Sequence, residues 1–132
     1  MTLERIEHRV DGLFPPPGHF SDAVSFGGML FISGVVPIDK DGHLVGKGNI
    51  SQQAEQVFAN IGAVLSSVGA GFGSLLKITI FLTSVADRQA VDQVRRRMFG
   101  ESRPGSTLIG VNELALPDIR IEVEAIAAMP TR

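Results

Sequence analysis

Two carboxylates one residue apart, Glu122 and Glu124, stand in the run IRIEVEAIA near the end of the chain. Ile121, Val123, Ala125 and Ala127 alternate with them, and a period of two marks a strand with one buried face. On such a strand both acids share the opposite face, about 7 Å apart. Paired carboxylates can divide acid and base roles when burial raises one pKa. A wet face or a structural ion pair would also place acids there. The chemical reading therefore requires that this face line a cleft, which a second subunit would complete.

Other reactive types are weaker candidates. Ser33 precedes Gly34 inside an apolar run, not in a G-x-S-x-G elbow, and no His–Asp pair accompanies it, which argues against a serine hydrolase. His8, His19 and His43 lack ligand spacing, so no metal is expected. Gly69-Ala70-Gly71-Phe72-Gly73 follows a helix and precedes a strand, the reverse of a phosphate loop, and reads as a turn. Arg95-Arg96-Arg97 spread over about 200° of helical arc, which reads as a solvated outer face. There is no cysteine, so thiolate chemistry and disulfides are excluded.

The chain has 132 residues and a net charge of −2, enough for one domain over residues 1–132 and unfavourable to phosphate backbones. The eight Phe residues, in a chain without Trp or Tyr, fall mostly in apolar runs and read as core rather than as a nucleic-acid stacking platform. No run reaches the roughly 18–20 apolar residues of a membrane span. The acidic, weakly apolar start is unlike a signal peptide. A soluble cytoplasmic protein, with neither nucleic acid nor membrane as partner, is the expectation.

The elements that must hold these residues follow from periodicity. Residues 1–12 read as a short extended segment. Pro15-Pro16-Pro17 excludes helix and central strand and forms a connection to His19-Phe20-Ser21. Ala23–Phe26 and Met29–Val35 are β-prone runs joined by Gly27-Gly28, a tight hairpin signal. Gly34 inside the second run predicts a bulge or a close backbone approach. A helix is expected over Ser51–Val68, capped by Asn49 or Ser51, with Ala54, Val57, Phe58, Ile61 and Leu65 inward. Gln52, Gln53 and Gln56 fall off that stripe. Leu75–Thr83 reads as a central strand. A second helix follows, with Ser84 and Asp87 as a capping-box pair and Ala90, Val91, Val94 and Met98 buried. The order β-β-α-β-α-β-β predicts an α+β mixed sheet with both helices on one face. The other face, apolar and uncovered, predicts a homo-oligomer.

The blocks MLFISGVVPID, the helix from Gln52 through FLTSVAD, and RPGSTLIGVNELALPDIRIEVEAIA resemble the RidA/YjgF family of reactive-intermediate deaminases, also called L-PSP endoribonucleases. The resemblance runs from about Phe14 to Ala128. It implies a chorismate-mutase-like fold and a homotrimer with ligand clefts between subunits. It also implies cofactor-free hydrolysis of enamines or imines to a carbonyl compound and ammonia.

Carried over residue by residue, the resemblance makes Glu122 the group that activates water and Ser33 a ligand contact. Phe20 stands where tyrosine is usual, and Asp92 where asparagine is common. Ser106 occupies the place of an arginine that clamps a substrate carboxylate, and Leu108 a place often held by a small or thiol residue. Arg103, three residues before Ser106 and outside the motif, is the candidate to swing into the cleft and bind substrate in its place. A buried carboxylate without a cationic partner is costly, so the pattern argues against 2-imino acids specifically. A non-catalytic small-molecule-binding trimer is the second expectation, and ribonuclease activity a third that the acidic charge disfavours.

Overall fold

The computed structural model describes residues 3–131, so Met1 and Thr2 of the expected N-terminal extended segment lie outside the described residues. The elements run β1 (Ile6–His8), β2 (Ala23–Phe26), β3 (Met29–Val35), α1 (Ile50–Ser67), β4 (Leu75–Leu82), α2 (Arg88–Phe99), β5 (Gly105–Gly110) and β6 (Ile121–Ala128). This is the expected order with one short strand added in front. Ile6–His8 becomes a strand because it finds an edge, pairing antiparallel with β2.

The strands form one mixed six-stranded sheet in the order β1-β2-β3-β6-β4-β5. β6 is central, antiparallel to both β3 and β4. β5 returns to the sheet through α2 and pairs parallel with β4, since a helical crossover reverses the direction a hairpin would give. Gly27, at φ 62°, makes the β2–β3 turn, as Gly27-Gly28 predicts. The β3–β6 register shifts between Ile32 and Val35, so the expected irregularity falls at Ser33-Gly34.

One face of the sheet carries Leu30, Ile32, Ile78, Ile80, Leu82, Ile121 and Val123, all buried against the helices. α1 contributes Ala54, Val57, Phe58, Ile61, Val64 and Leu65 to this core, and α2 contributes Val91, Val94 and Phe99. The rings of Phe58 and Phe99 meet edge-on at 5.1 Å, an arrangement favoured by the ring quadrupoles. Among the described residues no helix packs on the other sheet face. Phe26 and Phe31 there keep 48% and 45% of their surface exposed in the single chain. Among the described residues no helix is long and apolar enough to cross a membrane.

Asn49 caps α1, its side chain accepting from Gln52 N–H at 3.0 Å, and Gly69 at φ 78° follows its end. The capping box expected at α2 does not form. Neither Ser84 nor Asp87 makes a side-chain cap. Asp87 instead turns its carboxylate to Arg120, at 2.6 and 3.2 Å, because a two-pronged guanidinium partner outcompetes a single backbone N–H.

Candidate functional site

Glu122 lies on β6 opposite Phe81 of β4, on the sheet face without helices. Its carboxylate passes over the β3 bulge. A Cβ at position 34 would overlap Glu122 Oε2 and lie 3.1 Å from its carboxyl carbon. The glycine in the strand therefore meets both sequence expectations, a bulge and a close approach. Glu122 is half-buried, and its pKa is raised, first by desolvation and then by the like charge of Glu124. Both causes favour the protonated form.

The carboxylate opens into a cleft of about 240 Å³ lined also by Phe20, Ser33, Gly34, Pro16 and Leu116. The walls are largely apolar. Phe20 and the proline strap form one side, and the turn before β6 forms another. Ser33 lines the cleft, but its hydroxyl is already committed, donating to the Ser21 carbonyl at 2.6 Å. That bond ties the bulge to the strap carrying Phe20. Glu124, one pleat further along, lines a separate depression with Lys77 and Phe31. It acts on Glu122 through charge and does not share its cleft.

Asp92, Ser106 and Leu108 gather elsewhere. With Arg88, Arg95 and Ile80 they line a cavity of about 390 Å³ between α2 and β5. Ser106 and Leu108 pair with Ile78 and Ile80, which point to the helix side. Glu122 pairs with Phe81, of the opposite parity. The two residue groups therefore occupy opposite faces of the sheet and cannot meet within one chain. Arg103 is exposed and is not among the residues lining either cavity.

Three contributors escape a reading of the sequence. Arg95 belongs to a run that reads as a solvated face. Arg96 and Arg97 fit that reading, pairing with Asp92 at 2.7 Å and Glu55 at 3.1 Å, but Arg95 is half-buried and donates to Ser106 Oγ at 3.1 Å. The signal was the spacing of Arg88, Asp92 and Arg95, which share one helical face. Gln53, placed off the apolar stripe of α1, is fully buried. It donates to the carbonyls of Gly46 and Asp118 and accepts from Arg120 N–H at 2.7 Å. Asn60, also buried, donates to the carbonyls of Val36 and Ile38. One helix thus pins the exit of β3 and the entry of β6, the two strands that bring Gly34 and Glu122 together.

The histidines stay apart from both cavities. His8 lies on β1 rather than in a loop, its Nε2 2.8 Å from Ser25 Oγ. His43 joins Asp39 and Asp41 in an exposed turn, where Asp39 accepts the backbone N–H of Asp41 and of His43 at 3.0 Å each. These bonds, that from His43 foremost, hold the Asp39 carboxyl below its ordinary pKa and account for the cluster as a turn.

Comparison with known proteins supports one family. Residues 13–129 match the family model described as Endoribonuclease L-PSP. A RutC family protein of Pyrococcus horikoshii is 40% identical over 113 residues, covering 85% of this chain and 88% of that protein. A 2-iminobutanoate/2-iminopropanoate deaminase of Dermatophagoides farinae is 30% identical over 114 residues, covering 86% and 88%. The crystal structure of TdcF from E. coli with bound serine superposes with a TM-score of 0.87 at 25% identity, covering 95% of this chain and 99% of that one. The chain belongs to the RidA/YjgF family, whose model spans nearly all of it.

Proposed function

We propose that this chain is a homotrimeric hydrolase of imines, enamines or related reactive small molecules, with each active site assembled from two subunits. The observation that carries the reading is the opposite parity of Glu122 and Ser106 on one sheet. One copy presents the carboxylate cleft and a neighbour presents the α2–β5 cavity. The apolar sheet face, with Phe26 and Phe31 exposed, supplies the contact surface, since patches of this kind mark interfaces.

Glu122 then accepts a proton from the water that attacks the imine carbon. The new C–O bond forms as the C=N electrons move to nitrogen. Glu122 returns that proton to the nitrogen, giving a carbinolamine. It then takes the hydroxyl proton and passes it to the nitrogen as the C–N bond breaks, so ammonia leaves and a carbonyl compound remains. A carboxyl whose pKa is raised is a stronger base than an ordinary carboxylate and can hand the proton on. Ser33 acts through the bulge, holding the strap in place while its hydroxyl stays on Ser21.

Phe20 and Ser106 lack groups that the deaminase pattern carries, which favours ligand binding without turnover as the second reading. The test is ammonia release from a panel of freshly generated imines, 2-iminobutanoate among them, with the assembly state measured in parallel. A rate above buffer that disappears in E122Q is expected. A confirmed trimer that accelerates none of the panel overturns the hydrolase reading in favour of the binding one.

A further inference from the structure

The cavity between α2 and β5 contains a cation for which the hydrolytic step has no use. Arg88, Asp92 and Arg95 line it together. Among the described residues, the ion pairs made by α2 are Arg96–Asp92 and Arg97–Glu55, and neither involves Arg95. The Arg95 guanidinium rests 5.9 Å from the Phe99 ring centroid, and Phe99 is itself fixed against Phe58 and Phe72. Its one side-chain hydrogen-bond partner among the described residues is the neutral hydroxyl of Ser106. Burial pulls its pKa below the ordinary arginine value, while Asp92 pulls the other way. It remains cationic throughout the physiological range.

A seated, partly desolvated guanidinium has five donors and a planar fork, and a single hydroxyl occupies one of them. Such a group is suited to a planar oxyanion. Arg88 and Arg95 line the cavity with Asp92, whose carboxylate is paired with Arg96 outside it, and the planar fork of Arg95 matches the two oxygens of a carboxylate. We propose that Arg95, held in position by Ser106 and Phe99, is the residue that binds the carboxylate of a small carboxylic-acid ligand in this cavity. The cation comes from the helix rather than from the strand. Ser106 is its anchor, and the absence of an arginine at position 106 no longer argues against 2-imino acids. That the same ligand reaches a neighbouring Glu122 rests on the hydrolase reading above. The carboxylate site itself does not.

The test separates the two by measuring binding with stable probes. Calorimetry or amide chemical-shift titration compares 2-oxobutanoate with neutral 2-butanone in the wild type, R95Q, R95K, E122Q and the double variant R95Q/S106R. Expected is preferential binding of 2-oxobutanoate, weakened at least tenfold in R95Q with 2-butanone unaffected, partly kept in R95K and regained in R95Q/S106R. E122Q keeps the preference. Wild-type strength in R95Q, or no preference in the wild type, overturns the proposal. Binding of 2-oxobutanoate through Arg95 without ammonia release from any imine sustains it and sinks the hydrolase reading alone.

Discussion

The carboxylate of Glu122 lies over the backbone of Gly34, in the space that a side chain at position 34 would fill. The β3 bulge therefore makes room for an acid from the neighbouring strand. G34A should displace that acid. Overpacking of this kind costs about 1–3 kcal/mol, measurable by urea denaturation. Any imine hydrolysis should fall much further, by tenfold or more, because the water-activating group has moved. A variant with unchanged turnover would separate Glu122 from the chemistry.

The raised pKa of Glu122 has two causes, and one of them can be removed. E124Q abolishes the like charge while leaving the desolvation. The Glu122 titration, followed by carboxyl NMR, should move toward lower pH, and the acidic limb of the rate profile should move with it. The sign for stability is the reverse of an ion-paired acid. The folded pKa is above the unfolded one, so the native state binds more protons between them, and stability falls as pH rises through that window. E122Q should flatten this dependence and raise the neutral-pH melting temperature.

Gln53 joins α1 to the turn before β6. In Q53A the Asp118 carbonyl and the Arg120 N–H lose their partner inside the fold. Leaving such groups unpaired costs about 1–3 kcal/mol each, visible as a lower denaturation midpoint. The entry of β6 should loosen in the same variant, so amide exchange at Ile121–Val123 should accelerate. Unchanged exchange there would mean that strand pairing alone fixes Glu122.

Phe31 stands exposed on the helix-free sheet face. F31E places a charge where the proposed trimer buries an apolar surface. Analytical ultracentrifugation should show a shift to monomer with secondary structure retained. A stable trimer in F31E would put the interface elsewhere.

How much of this was legible in the sequence depended on the range of the determining interaction. The alternation around Glu122 and the glycine within β3 are local signals, and both led to the cleft. The strand face followed from period-two burial without knowledge of its neighbours. The parallel β4–β5 pairing was not legible, because its register is set by the crossover through α2. Arg95 was hidden in a run of like residues, whose local composition says solvent although only one side chain turns inward. Gln53 was misplaced because a polar residue is assigned to the wet side of a helix by default. Its carbonyl and amide partners lie 65 and 67 residues further along the chain. Asp87 went to Arg120 for the same reason, a distant partner displacing a local cap.

The parity of the sheet carries a genetic corollary under the proposed assembly. E122Q and R95Q damage different walls of a shared pocket, each supplied by a different copy. Co-refolding E122Q with R95Q should create some pockets that draw an intact wall from each parent. Intragenic complementation of this kind would let the mixture turn over a carboxylate-bearing imine faster than either pure component.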